Sequence, residues 1–313
     1  MRLVISTAIL TFAWFAAVNI VVSAVAWLLT RRAASSQSLG PEGLLTLRLL
    51  PSVVSLIVVA LVVFPGHLLY EPTESDEAFG VALWALVALT TALLVRSCQR
   101  LASVARASAS LSRWALAANG RTGQETLEIK GLNGVSLAGV FRTRILIGSN
   151  ARAALSDAEL EVAVAHELAH RSCWDNLKRC AMFCAPDVFG FTSAARDLEA
   201  RWRAEAECRA DALAVGGDET RATHLASALV KVARLSQLST PSHVSPIWST
   251  FHEASLLEAR VRRLVAEPNV LRTEPSSPVR YLTAIAVFPL VVWLAGLPYQ
   301  LHLMTEFLIA SLP

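Results

Sequence analysis

The sequence predicts a mostly α-helical membrane protein, in which an α+β domain is inserted between the third and fourth of four transmembrane helices. First, the 313 residues are 54% hydrophobic and only 17% charged, with a mean hydropathy of +0.48. That composition is too apolar for an ordinary soluble domain. Second, the apolar residues are concentrated in four runs. Third, the stretch between the last two runs is polar and alternates helix-like and strand-like patterns.

The four apolar runs are each long enough to be considered as membrane spans. The first is Leu3–Leu29, which contains no charged residue and is longer than the apolar core of a cleaved signal peptide. The other three are Leu44–Tyr70, Phe79–Val95 and Tyr281–Leu297. The predicted domains are therefore a three-helix membrane region at 1–98, the inserted domain at 99–280, and a fourth span with a short tail at 281–313.

Basic residues predict the orientation of these spans, because cytoplasmic loops are enriched in Lys and Arg. Arg31 and Arg32 follow the first run, whereas the acidic loop Glu71–Glu77 after the second has neither Lys nor Arg. Four arginines follow the third run, at Arg96, Arg100, Arg106 and Arg113. We therefore expect the N-terminus outside and the inserted domain in the cytoplasm. The five scattered cysteines contain no CxxC pair, as is typical of a reduced compartment.

One run of five residues indicates the chemistry: His166-Glu167-Leu168-Ala169-His170. Residues four apart on a helix lie on one face about one turn apart, so both imidazoles can reach one ion. Glu167 lies between them, where its carboxylate can accept a proton from water. This is the spacing of the HExxH zinc motif, which predicts zinc on His166 and His170 with Glu167 as general base. Chance matches also occur on exposed helices, so the flanking residues matter.

The flanking residues predict a buried helix and a third metal ligand. Ser156 and Glu159 have the spacing of a capping box ahead of an apolar run. A catalytic zinc has three protein ligands. The predicted helix Arg201–Ala214 carries Glu207 and, one turn later, Asp211. We expect Glu207 to complete the ligand set and Asp211 to hold a ligand histidine by its other ring N–H.

Other residues of the inserted domain allow two interpretations. Glu199 and Glu205 are alternatives to Glu207 as third ligand. Asp175 is either a hydrogen-bond partner of a ligand histidine or an exposed carboxylate at a helix end. Candidates for stabilising an oxyanion are His224, His243 and His252, although each is more typical of a surface or packing histidine. The cluster Arg260, Arg262 and Arg263 is more typical of a solvated or lipid-facing surface than of a substrate clamp.

The remaining segments predict short strands and two further helices. The strands are Thr126–Lys130, Val135–Phe141 and Arg144–Ile147, and the helices are Glu219–Leu238 and Glu253–Ala266. The last strand can bind an extended peptide by main-chain pairing. Basic residues are not interleaved with aromatic residues, so no direct nucleic-acid binding is expected.

Several motifs, in this order along the chain, resemble those of the BlaR/MecR-type membrane metallopeptidases, a gluzincin family of bacteria. The motifs are Val140–Ile147, His166–Leu177, Glu207–Asp211 and Glu258–Leu264. The resemblance implies a zincin-like fold and one zinc ion on His166, His170 and Glu207, with Glu167 as base. It also implies an edge strand at Val140–Ile147 that lies along the active-site cleft.

The same resemblance implies a multi-pass protein of the bacterial cell (inner) membrane that cleaves cytoplasmic proteins, such as a BlaI-like transcriptional repressor. Members that sense β-lactams carry a large extracellular penicillin-binding domain after the fourth span, and the sequence is not expected to include one. Direct antibiotic sensing is therefore not expected. Two alternatives remain open: an HtpX-type quality-control peptidase, and a non-catalytic membrane receptor or scaffold with structural zinc.

Overall fold

The fold is that of a computed structural model, in which the described residues are mostly helical. It describes residues 2–33, 39–70, 80–119, 126–130, 132–237, 248–250 and 254–266, together with 299, 300 and 303. The predicted fourth span, Tyr281–Leu297, lies outside the described residues. The chain divides into two compact units, the first formed by 1–99, 184–200 and 276–313, and the second by 100–183 and 201–275. The predicted domain limits stay a prediction.

The first unit is built on long apolar helices. These are α1 (Arg2–Ala33), α2 (Pro41–Val58), a π-helical turn (Val59–Val63), α3 (Phe64–Tyr70) and the start of α4 (Val81–Asn119). Three stretches are long and apolar enough to cross a membrane: Ile5–Arg32, Pro41–His67 and Val81–Leu111. Their length and composition support the prediction of a membrane protein. The 39 residues of α4 correspond to about 58 Å of helix, well beyond the hydrocarbon core of a bilayer.

A buried polar cluster lies within the first unit. Arg48 of α2 is only 2% exposed, and its Nη1 lies 3.1 Å from Oδ2 of Asp187, which is fully buried. The Nε of Arg48 donates to Glu199 Oε1 at 2.6 Å. Asp187 also accepts from the hydroxyl of Ser52 at 2.7 Å and from the backbone N–H of Gly190 at 2.6 Å. The charge of Arg48 is thus matched inside an apolar helix bundle, as the burial of a charge requires.

Side chains of α1 bind the backbone directly after Asp187. The backbone N–H of Val188 donates to Asn19 Oδ1 at 2.9 Å, and that of Phe189 donates to Ser23 Oγ at 3.2 Å. Both Asn19 and Ser23 are buried. Residues 187–189 are therefore bound by polar groups from two of the candidate spans.

The second unit contains a four-stranded sheet. Its strands are β1 (Thr126–Ile129), β2 (Val135–Ala138), β3 (Arg144–Gly148) and β4 (Trp248–Thr250), in the order β1-β3-β2-β4. β3 pairs parallel with β1 and antiparallel with β2, and β2 also pairs antiparallel with β4. Gly139 (φ 97°) follows β2 in a turn so tight that a Cβ there would lie 2.6 Å from the Arg142 carbonyl oxygen.

The prediction that Val140–Ile147 forms an edge strand is wrong. Only Arg144–Gly148 of that region is a strand, and it lies between β1 and β2. Its N–H and C=O groups are used on both sides, so it cannot accept an added peptide strand. Ile145, Leu146 and Ile147 are correspondingly all buried.

Besides the end of α4, six helices lie wholly or partly in the described part of the second unit. They are α5 (Ser149–Ala154), α6 (Asp157–Ser172), α7 (Asp175–Cys184), α8 (Ser193–Val215), α9 (Glu219–Gln237) and α10 (Ala254–Ala266). Helix α6 packs on β2 and on α9, and α9 also packs on α10. The core between them is aliphatic, with Leu137, Leu160, Leu225, Leu229 and Leu264 buried. This packing fixes α6 at the centre of the unit.

Candidate metal centre

The N-terminus of α6 is held by the predicted capping box. Ser156 Oγ accepts from the Glu159 N–H at 3.3 Å, and Glu159 Oε2 accepts from the Ser156 N–H at 2.8 Å. Glu159 also accepts from Ser227 at 2.6 Å and from Lys231 at 2.7 Å, both on α9. These contacts set the position of α6 along its own axis relative to α9.

The two histidines of the motif lie side by side in the core. His166, Glu167 and His170 are all fully buried. The imidazole rings of His166 and His170 are nearly perpendicular, at 85°, and their Nε2 atoms are 3.1 Å apart. The four-residue spacing has therefore placed two nitrogen donors next to each other, as the sequence predicts.

Glu207 of α8 completes a group of three potential ligands. Its Oε2 lies 3.4 Å from His166 Nε2, and its Oε1 lies 3.4 Å from His170 Nε2. Within the described residues, this is the one group of three or more His, Cys, Asp and Glu side chains with geometry to hold a metal ion. Of the two alternatives, Glu205 is exposed and Glu199 is bound to Arg48 of the first unit.

Each of these histidines has a carboxylate on its other ring nitrogen. Asp211 Oδ1 lies 2.9 Å from His166 Nδ1, and Asp175 Oδ2 lies 2.7 Å from His170 Nδ1. A carboxylate beside Nδ1 favours the imidazole tautomer that carries the ring proton on Nδ1. Nε2 of each ring then faces Glu207, and its lone pair becomes available to a cation once this nitrogen is deprotonated. Asp175 is thus a buried hydrogen-bond partner of His170 and not an exposed carboxylate at a helix end.

Two arginines, not singled out for this role by the sequence, in turn bind those carboxylates. Arg209 of α8 donates to Asp175 Oδ1 at 2.7 Å. Arg260 of α10 donates to both oxygens of Asp211, at 2.6 and 2.8 Å. Arg260 is 5% exposed, so the interpretation of this arginine as part of a solvated or lipid-facing surface is wrong. The neighbouring Arg262 fits that interpretation, since its side chain is 78% exposed.

The three potential ligands and their charged neighbours shift one another's pKa values. Burial lowers the pKa of His170, but Glu207 and Asp175 outweigh it and raise that pKa to about 10. The pKa of His166 is likewise raised, because Asp211 and Glu207 outweigh its burial. The pKa of Glu207 is held well below its ordinary value, since both imidazoles and Arg260 outweigh its burial. A cation bound between these groups would replace protons on the two imidazoles.

Glu167 lies between the histidines in sequence and next to β2 in space. Burial raises the pKa of its carboxyl to about 7, although both imidazoles and the backbone N–H of Leu137 act in the opposite direction. A carboxyl with this pKa can exchange a proton near neutral pH, as a general base must.

Helix α7 ties the metal group to the sheet. Trp174, with φ of 59°, separates α6 from α7 and turns the chain so that Asp175 returns to His170. Asn176, which follows Asp175, donates to the carbonyl oxygens of Leu137 at 3.1 Å and Gly139 at 2.8 Å. Neither the break at Trp174 nor the contacts of Asn176 are indicated by a local sequence pattern.

The other candidates lie elsewhere or outside the described residues. His224, on α9, is partly buried and does not belong to the metal group, while His243 and His252 lie outside the described residues. The cysteines of the described residues are free thiols, and none of them belongs to this group.

The comparisons add no family to this description. Neither protein-family models nor curated proteins gave a match to the sequence. The assignment of a function therefore depends on the geometry around His166, His170 and Glu207.

Proposed function

We propose that this protein is a membrane-anchored zinc endopeptidase, with His166, His170 and Glu207 as zinc ligands and Glu167 as general base. The observation that carries the proposal is the spacing of the three donors. The Nε2 atoms of His166 and His170 are 3.1 Å apart, and each lies 3.4 Å from a different carboxylate oxygen of Glu207. Tetrahedral zinc with bonds of about 2.0–2.1 Å would separate its ligand atoms by about 3.3 Å. Two imidazoles and one carboxylate are also a donor set that zinc accepts.

The same donor set argues against a purely structural metal. Structural zinc sites have four protein ligands, commonly including cysteine. Among the described residues this group has three potential ligands and no cysteine. A three-ligand site leaves one coordination position for water or substrate, which favours the enzyme over the non-catalytic scaffold.

The proposed mechanism gives each residue one task. A bound zinc ion would supply a Lewis acid that polarises the scissile carbonyl and makes water more acidic. Glu167 accepts the proton of the attacking water and then donates it to the leaving amine. Asp211 and Asp175 keep the imidazoles in the tautomer and orientation that direct Nε2 at the ion.

The proposed substrates are cytoplasmic proteins. The arginines that follow the first and third spans support an orientation with the N-terminus outside and the second unit in the cytoplasm of a bacterial inner membrane. The resemblance to BlaR/MecR-type peptidases suggests a regulator, such as a BlaI-like repressor, as the substrate. A reporter fused after Asn119 is expected to be cytoplasmic, and one inserted within Glu71–Glu77 is expected to be external. The opposite pattern would overturn this substrate compartment.

Substitution of the base tests the enzymatic part of the proposal. The full chain, purified in detergent with zinc, is incubated with a quenched fluorescent casein, and zinc content is measured on the same samples. Glu167→Gln is expected to abolish cleavage and keep the zinc, because it changes the base and no ligand. Glu161→Gln, at an exposed position of the same helix, is the matched control and should behave as the wild type. Full activity of Glu167→Gln would refute the assignment.

A further inference from the structure

Arg260 contacts two carboxylates at once, one of which is a proposed zinc ligand. Its Nε and Nη2 donate to the two oxygens of Asp211, at 2.8 and 2.6 Å. Its Nη1 lies 3.0 Å from Oε2 of Glu207. The planar guanidinium thus donates to both oxygens of Asp211 and makes an ion pair with Glu207, a geometry that a lysine ammonium cannot reproduce.

These contacts join three helices at the metal group. Glu207 and Asp211 lie one turn apart on α8, and His166, which Asp211 contacts, lies on α6. Arg260 belongs to α10, the last described helix of the second unit. All four residues are at most 6% exposed, so water cannot replace the contacts at low cost.

We propose that Arg260 is a positioning residue that preassembles the metal centre, holding Glu207 and Asp211 in the ligand-competent arrangement before the ion binds. The inference rests on the zinc site of the proposed function and adds α10 to that site. Without the contacts of Arg260 to both carboxylates, Glu207 and Asp211 can turn toward other donors, and an arriving ion must reorder them. The free energy of that reordering is subtracted from the affinity for the ion.

The positive charge of Arg260, in contrast, lowers the affinity for the ion, because it repels a divalent cation. A substitution that removes the charge would therefore combine two opposing effects. Arg260→Lys separates them, since it keeps the charge and removes the planar fork. The matched control is Arg262→Lys, the same change at an exposed position of α10.

The experiment measures zinc affinity of the full chain in detergent by competition with a chromophoric chelator, for the wild type, Arg260→Lys and Arg262→Lys. Arg260→Lys is expected to raise the dissociation constant for zinc about 10- to 100-fold, as loss of a residue that orients ligands does. Arg262→Lys should match the wild type. The rise in the thermal unfolding midpoint produced by a fixed zinc concentration should also be smaller in Arg260→Lys.

Equal dissociation constants for Arg260→Lys and the wild type would overturn the proposal. So would a lower unfolding midpoint with an unchanged dissociation constant, because that result describes an arginine that only stabilises the fold. These readouts do not involve cleavage. A wild type that binds zinc and cleaves nothing would refute the peptidase and leave the Arg260 comparison decisive.

Discussion

Glu159 makes the stability of the second unit depend on pH. Burial raises the pKa of this carboxyl, but hydrogen bonds from Lys231, Ser227 and the Ser156 N–H outweigh it and lower the pKa from 4.5 to about 2. Each pKa unit corresponds to about 1.4 kcal/mol, so ionised Glu159 contributes about 3 kcal/mol to the free energy of unfolding at neutral pH. Because the pKa is lowered on folding, this contribution is complete above 4.5 and is lost as the pH falls towards 2.

Glu159→Gln removes this ionisation. It is expected to lower the free energy of unfolding by about 3 kcal/mol at pH 7, and the midpoint of thermal unfolding by about 6–12 °C for a unit of this size. At pH 3 less than half of the difference from the wild type should remain. The measurement is circular dichroism of the full chain in detergent with EDTA, so that loss of metal in acid does not contribute.

Glu161→Gln is the control for this measurement. Glu161 is 71% exposed and pairs with Arg221 at the surface, so its substitution should change the free energy of unfolding by less than about 1 kcal/mol. A difference between Glu159→Gln and the wild type that is the same at pH 7 and pH 3 would refute the reasoning.

Two further substitutions test the surroundings of the metal group and of the buried polar cluster. Asp175→Asn is expected to weaken zinc binding about 10- to 100-fold in the chelator assay, because an amide orients His170 less well. The exposed Glu205→Gln should leave affinity unchanged, and equal affinities for both variants would contradict this role. Arg48→Met deprives the buried Asp187 of its guanidinium and is expected to destabilise the first unit by about 3–5 kcal/mol. An unfolding midpoint in detergent equal to that of the wild type would contradict that expectation.

Local signals predicted the parts of the fold that depend on neighbouring residues. The capping box at Ser156 and the spacing of His166 and His170 are properties of a single helix, and both appear as expected. The sequence also favours Glu207 as third ligand because Asp211 follows it by one turn, and the two carboxylates lie beside the two ring nitrogens of His166. Helical spacing was sufficient in each case.

Features that depend on distant residues could not be read from the sequence. The break between α6 and α7 occurs at Trp174 in a left-handed conformation, where the chain offers no glycine to mark it. Among the three arginines near the end of α10, only contacts with α8 distinguish the buried Arg260. β3 is an interior strand because it pairs in parallel with β1, although β2 lies between the two in the sequence.

The pairing of β4 with β2 has a consequence for any extended ligand. Ser136, Leu137 and Ala138 of β2 are matched by Thr250, Ser249 and Trp248 of β4. A polypeptide lying along β2 would need the same main-chain donors and acceptors, so the two occupants exclude each other. The apparent affinity of any peptide that pairs with β2 on this side is therefore reduced by the free energy of detaching β4.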